Sequence, residues 1–134
     1  MSWQAYVDTS LISTGKIDGG AIFSAGGDSV WAASKDFTVQ QSEVQALISA
    51  FKDGLTLGKG VQDLHEKGLY IGGAKYFCIK ADERSIYGKK GKEGIISVKT
   101  KQAILVAHYP DTVQPGEAAK TVEQLADYLL GVGY

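Results

Sequence analysis

The segment nearest to a nucleotide-binding motif is Gly54-Leu55-Thr56-Leu57-Gly58-Lys59-Gly60, and it fails on two counts. A phosphate-binding loop needs four residues between its glycines and a Ser or Thr after the lysine, to hold magnesium. Here the spacing is one residue short and the hydroxyl is missing. His65 and His108 lie far apart, and neither sits in a metal-ligand spacing such as H-x-x-x-H. Cys78, within YFCIK, is the one cysteine, so it forms no intrachain disulfide and suits a reducing cytosol. Its expected role is that of a small buried hydrophobe on a strand. A Cys–His nucleophile would require Cys78 to meet a distant histidine, and no base or oxyanion donor is positioned for it. The residues do not compose a catalytic centre, cofactors and metals are not called for, and the chain is not expected to be an enzyme.

Two other patterns carry more. Large aromatics stand at both ends: Trp3 and Tyr6 in MSWQAYVDTSLIS, Tyr128 and Tyr134 in LADYLLGVGY. Chain ends are poorly ordered unless something ties them down, so rings placed there demand a fold that holds them. The second pattern is charge. The chain has a net charge of only −1, yet Lys75–Lys101 holds eight basic residues against Asp82, Glu83 and Glu93. A local balance of +5 in an otherwise acidic chain suggests an anionic partner surface: protein, lipid headgroup or nucleic acid.

The elements that must position these groups follow from periodicity and turn chemistry. With 134 residues and 44% apolar content, one domain spanning 1–134 with a single core is expected. No apolar run is long enough to span a bilayer, and the basic and apolar regions of a signal peptide are lacking. Residues 2–13 read as a short helix stopped by Gly15. AIFSA and SVWAA flank Gly26-Gly27-Asp28 as a hairpin. Thr38 and Gln41 have capping-box spacing ahead of a helix whose face is Val44, Leu47, Ile48 and Phe51. Gly54–Lys67 is loop-like, with a helical turn at Val61–Leu64. LYIGGAKYFCIKAD is a hairpin around Gly72-Gly73, and RSIYGKKGKEGIISVKT is strand, basic turn, strand. KQAILVAHYP is a buried strand ended by Pro110, with His108 structural at its end. The strongest helix runs from Gly116 to Leu130, with Val122, Leu125, Ala126 and Leu129 at helical spacing. The sum is an α+β chain: one meandering antiparallel sheet with helices on its faces.

At this point the residues resemble a known family. SWQAYVDTSLISTGKID, the VWAAS around Trp31, ADERSIYGKKGKEGI and the closing VEQLADYLLGVGY are similar, in order and from residue 2 to 134, to profilins of the fungal type. Gly54–Lys67 departs by being a few residues longer than in many fungal members. The resemblance implies a central antiparallel sheet with the N- and C-terminal helices side by side on one face and the shorter helices on the other.

It also implies two binding sites. With the terminal helices together, Trp3, Tyr6, Trp31, Tyr128, Leu129, Val132 and Tyr134 would form a groove for proline-rich segments in the polyproline II form. Away from it, Lys75, Phe77, Lys80, Arg84, Tyr87, Lys89 and Lys90, with Gly116, Lys120 and Gln124 at the start of the last helix, would meet monomeric actin. Basic groups would steer toward an acidic partner around Phe77 and Tyr87. Arg84, Lys89, Lys90 and Lys92 would also attract phosphatidylinositol bisphosphate. The implied role is a monomeric, cytoplasmic, cytoskeleton-associated regulator that sequesters actin, promotes nucleotide exchange and delivers actin to formin-bound barbed ends. Nucleic acid is not an expected partner. Rival readings are a proline-binding adaptor without actin binding and a small-molecule sensor, an architecture this sheet would also suit. The sensor is disfavoured because AIF, YFCI and AILVA read as close-packed core.

Overall fold

The computed structural model describes residues 2–35, 37–53 and 68–134. The N-terminal helix is built in three parts. It opens as α1 (Trp3–Ala5), widens into a π-helical stretch over Tyr6–Leu11 and tightens into a 3-10 turn at Ile12–Thr14. Ser2 caps its start, its hydroxyl accepting the Ala5 N–H at 3.2 Å. Gly15 ends it with φ 77°, a left-handed conformation that a side chain would strain. Val7 and Leu11 are fully buried and hold this helix on the sheet.

Among the described residues, seven strands form one antiparallel sheet: β1 (Gly19–Ser24), β2 (Val30–Ala33), β3 (Leu69–Ile71), β4 (Ala74–Ala81), β5 (Ser85–Lys90), β6 (Glu93–Lys99) and β7 (Ala103–Tyr109). Their spatial order is β2-β1-β7-β6-β5-β4-β3. The anticipated hairpins are all present, and Pro110 follows the last residue of β7. Helix α2 (Gln41–Asp53) lies on one face of the sheet and helix α3 (Pro115–Gly131) on the other, beside the N-terminal helix.

The core therefore has two layers. In one, Tyr6, Val7 and Leu11 meet Val122, Leu125, Ala126 and Leu129 over Ile96, Val98, Leu105 and Ala107. In the other, Val44, Leu47, Ile48 and Phe51 pack on Phe23, Ile86, Ile95, Ile104 and Val106. Strands β6 and β7 are buried on both faces, which explains why IIS and AILVA lack the alternation of a half-exposed strand.

Three sequence expectations are corrected. The first turn of α2 is closed not by Thr38 and Gln41 but by Glu43, whose Oε1 accepts the Gln40 N–H at 2.8 Å. The same carboxylate takes the Gly72 N–H at 2.8 Å and the Gly73 N–H at 2.9 Å, so one buried side chain joins α2 to the β3–β4 turn. Second, YFCI is not core throughout: Tyr76 is buried, but Phe77 is 70% exposed and Ile79 56%. Strand β4 runs on past three-residue β3, and its register against β5 shifts between Cys78 and Lys80. Third, Cys78 is half-buried rather than enclosed, although burial still pushes its thiol pKa up.

His108 is structural, as expected. Its Nδ1 lies 2.5 Å from Asp18 Oδ1 and its Nε2 3.1 Å from Glu93 Oε1, tying the end of β7 to the entry of β1 and the start of β6. His65, the glycine-lysine segment and the turn at Val61–Leu64 lie outside the described residues.

Candidate functional site

The aromatic ends come together because each is anchored by specific bonds. At the N-terminus, Gln4 Nε2 donates to the Ala33 carbonyl at 2.9 Å, fixing the helix start against β2, two residues from Trp31. At the C-terminus, the Tyr134 oxygen accepts from the Gln102 N–H at 2.5 Å and from the Thr100 hydroxyl at 2.8 Å. Gln102 Nε2 donates to Gly133 at 2.9 Å, and the Tyr134 N–H folds back to Leu129 at 2.8 Å. The β6–β7 turn thus clasps the chain end, a set of partners with no local signature in the sequence.

Trp3 is the hub of the resulting ring cluster. Its centroid lies 4.6 Å from Trp31 at 41°, 5.0 Å from Tyr134 at 85° and 5.5 Å from Tyr6 at 59°. Tyr6 passes the contact on to Tyr128, 6.0 Å away at 56°. Tilted and edge-on rings leave faces and edges open, unlike a closed stack. Trp3 and Trp31 are half-buried, while Tyr128, Val132 and Tyr134 are exposed. Tyr6 is 8% exposed, and burial first, then the neighbouring Tyr128 phenol, raise its pKa. Leu129, fully buried, supports the helix pair from beneath instead of lining the groove.

A second surface lies on β4 and β5. Lys75, Phe77, Lys80, Lys89 and Lys90 are exposed there, Phe77 pairs with Lys89 across the strands, and Lys80 with Tyr87. The Lys80 ammonium sits 5.0 Å over the Tyr87 ring, and Lys75 sits 5.8 Å from the Phe77 centroid. Lys80 also approaches Asp82 at 3.7 Å. Burial tends to raise the Asp82 carboxyl, but the backbone N–H groups of Ser85 and Arg84 and the Lys80 ammonium outweigh it and hold the pKa low.

Arg84 and Tyr87 are engaged within the molecule. Arg84 Nη2 meets Asp127 at 2.7 Å and its Nε meets Glu123 at 3.4 Å. Tyr87 donates to Glu123 at 3.0 Å, and the Ser85 hydroxyl donates to the same carboxylate at 3.1 Å. The bond to Asp127 above all raises the Arg84 pKa; desolvation and the Glu123 charge push Tyr87 up to about 12. This network fastens α3 to β5, and no sequence motif marked Glu123 or Asp127. Gly116 and Lys120 are exposed on α3, whereas Gln124 turns toward the N-terminal helix, lining a cleft with Ser10 and Leu125. Lys92 is exposed in the β5–β6 turn.

Comparison with known proteins agrees with this geometry. The family model described as Profilin matches residues 1–134. Profilin of Schizosaccharomyces pombe is 57% identical and that of Saccharomyces cerevisiae 48%, each over the full length of both chains. The crystal structure of the S. pombe protein superposes with a TM-score of 0.90, covering 99% of this chain and all of the other at 56% identity. More distant chains share the fold. Mouse profilin IIa in complex with a double repeat from the FH1 domain of mDia1 gives a TM-score of 0.76 at 20% identity, covering all of both chains. LokiProfilin2 in its complex with rabbit actin gives 0.75 at 21%, covering 98% of this chain and 99% of that one.

Proposed function

This chain belongs to the profilin family, and from that premise we propose that it binds monomeric actin and, on a separate surface, proline-rich segments. It regulates actin polymerisation by holding monomers, promoting their nucleotide exchange and delivering them to formin-bound barbed ends. Related folds are known with these partners: the mouse chain was solved with formin-type FH1 repeats, the Loki chain with actin.

The observation that carries the reading is the open ring cluster around Trp3. A polyproline II helix makes no internal backbone hydrogen bonds, so its carbonyls can accept from indole N–H and phenol O–H groups. Its pyrrolidine rings pack on aromatic faces, and its preformed shape limits the entropy lost on docking. Trp3, Tyr6, Trp31, Tyr128, Val132 and Tyr134 supply that surface, with Leu129 beneath it. Lys75, Phe77, Lys80, Arg84, Tyr87, Lys89, Lys90, Gly116, Lys120 and Gln124 are the proposed actin set. Exposed lysines around Phe77 provide steering and an apolar anchor. Two sites on different surfaces allow one molecule to bridge actin to a proline tract and raise the local actin concentration at a growing end.

Arg84, Lys89, Lys90 and Lys92 are the proposed contacts for phosphatidylinositol bisphosphate, which then competes with actin. The protein acts by binding, without covalent chemistry, as a single cytoplasmic domain over residues 1–134. No described helix is long and apolar enough to cross a membrane.

Tryptophan fluorescence during a poly-proline titration tests the groove, because both Trp residues of the chain lie in it. A saturating change is expected; an unchanged spectrum refutes the assignment. Gel filtration with purified actin tests the second site, and failure to co-elute would favour the adaptor reading. Phosphatidylinositol bisphosphate micelles are expected to weaken actin binding, and unchanged affinity removes the overlap.

A further inference from the structure

A polar cluster gathers between β5 and α3, and periodicity puts it there. Ser85 and Tyr87, two apart on β5, share a strand face, and Arg84 precedes them. On α3, Glu123 and Asp127 are four apart and share the helix face that meets this strand.

Glu123 is the centre of the cluster. Its Oε1 lies 3.4 Å from Arg84 Nε, and its Oε2 accepts from the Tyr87 hydroxyl at 3.0 Å. The hydroxyl of buried Ser85 is 3.1 Å from both oxygens. Asp127 takes Arg84 Nη2 at 2.7 Å. A guanidinium has five N–H donors, so an Arg84 held at Nε and Nη2 keeps others to offer a partner. The effect of the carboxylate reaches one residue further. Tyr87 pairs with Lys80 across β4 and β5, and the Lys80 ammonium sits 5.0 Å over the Tyr87 ring. Fixing the phenol therefore fixes the ring on which Lys80 rests. Arg84, Tyr87 and Lys80 all belong to the proposed actin set, and long side chains lose rotamer freedom when they dock. One carboxylate, its side chain only 24% exposed, orders them before a partner arrives.

We propose that Glu123 is a positioning residue for actin binding, a role that rests on the actin reading above. It holds Arg84 and Tyr87 directly, and Lys80 through the Tyr87 ring, in the arrangement that meets actin. Actin affinity depends on this carboxylate, and poly-proline affinity does not.

The test measures actin and poly-proline affinity for the parent, Glu123→Ala and Glu123→Gln. Poly-proline is the control because Tyr128, on the same helix, reports whether α3 keeps its seat. Glu123→Ala should weaken actin binding about ten-fold and leave poly-proline affinity within about two-fold. Glu123→Gln keeps an acceptor but not the charge, and should weaken actin binding about three-fold. Should Glu123→Ala not fold, the glutamine variant decides by the same comparison. Combining Glu123→Ala with Tyr87→Phe should cost less than the product of the two separate losses, since both break one contact. Parental actin affinity in the folded variants overturns the role. So does tighter binding, which would mean that the carboxylate masks Arg84. A parallel loss of actin and poly-proline affinity overturns it as well, being the mark of a loosened helix. Fully multiplicative losses would show that Glu123 does not act through Tyr87, and overturn it too. If the parent itself fails to co-elute with actin, the actin reading falls and this role with it.

Discussion

Trp3 touches Trp31, Tyr6 and Tyr134 at once, so its removal opens the cluster from the centre. Trp3→Ala is expected to weaken poly-proline binding by at least ~2 kcal/mol, roughly thirty-fold in Kd, as central aromatic anchors do. Retention on a poly-proline resin, with folding checked by circular dichroism, measures it; parental retention would refute the site. Ser97 raises a different question at the same scale. It is fully buried on β6, and its hydroxyl is the buried side-chain polar atom without a partner among the described residues. An unpaired buried hydroxyl costs free energy that a methyl group does not. Ser97→Ala should therefore be neutral or stabilise the protein by about 1 kcal/mol, read from the urea midpoint. Destabilisation beyond that would show that the hydroxyl does have a role. The ring types at both ends were legible in the sequence, since Trp and Tyr three apart share a helix face. Their anchors were not, because Gln4–Ala33 and Thr100–Tyr134 are 29 and 34 residues apart.

Elements were legible where burial enforces a period, as in α3, and where glycine turns separate short runs, as in the hairpins around Gly27 and Gly72-Gly73. They were misread where long-range bonds override local pattern. Thr38–Gln41 had the right spacing for a cap, yet Glu43 serves because it satisfies α2 and the β3–β4 turn together. Glu43→Ala removes a buried acceptor from three backbone N–H groups and should destabilise by roughly 2–3 kcal/mol in thermal or urea unfolding. A loss below 0.5 kcal/mol would mean that water replaces the carboxylate without cost. Likewise β4 reads as a core strand, but its burial alternates: Tyr76 faces the core, whereas Lys75, Phe77 and Ile79 share the outward face.

For the molecule as a whole, charge separates the two surfaces and pH acts on stability. The residues of the ring groove include no lysine or arginine, whereas the β4–β5 face is rich in lysine. Actin affinity should fall more steeply with salt than poly-proline affinity, and equal slopes in parallel titrations would count against the basic steering. Stability should fall at high pH through Tyr87. Its folded pKa is raised to about 12, so its contribution is complete below about pH 10 and is lost as pH climbs toward that value. Asp82 has the opposite sign: its lowered pKa adds stability above the unfolded carboxylate value, lost on acidification. Urea midpoints measured from pH 8 to 12 should drop for the parent and drop less for Tyr87→Phe. Identical profiles would remove Tyr87 from the alkaline transition.

The strand order has a kinetic implication. From β3 to β7 each strand pairs with its neighbour in the chain, but β1 joins the sheet only through β7, its paired residues 79 to 89 positions apart, with Gly19 opposite His108. Closing so long a loop is slow compared with zipping a meander. Trp3 and Trp31 both ride on the portion that this seam brings in. During refolding, then, the capacity to capture proline should emerge after most of the sheet signal has returned, and weakening the β1–β7 seam should lengthen that interval.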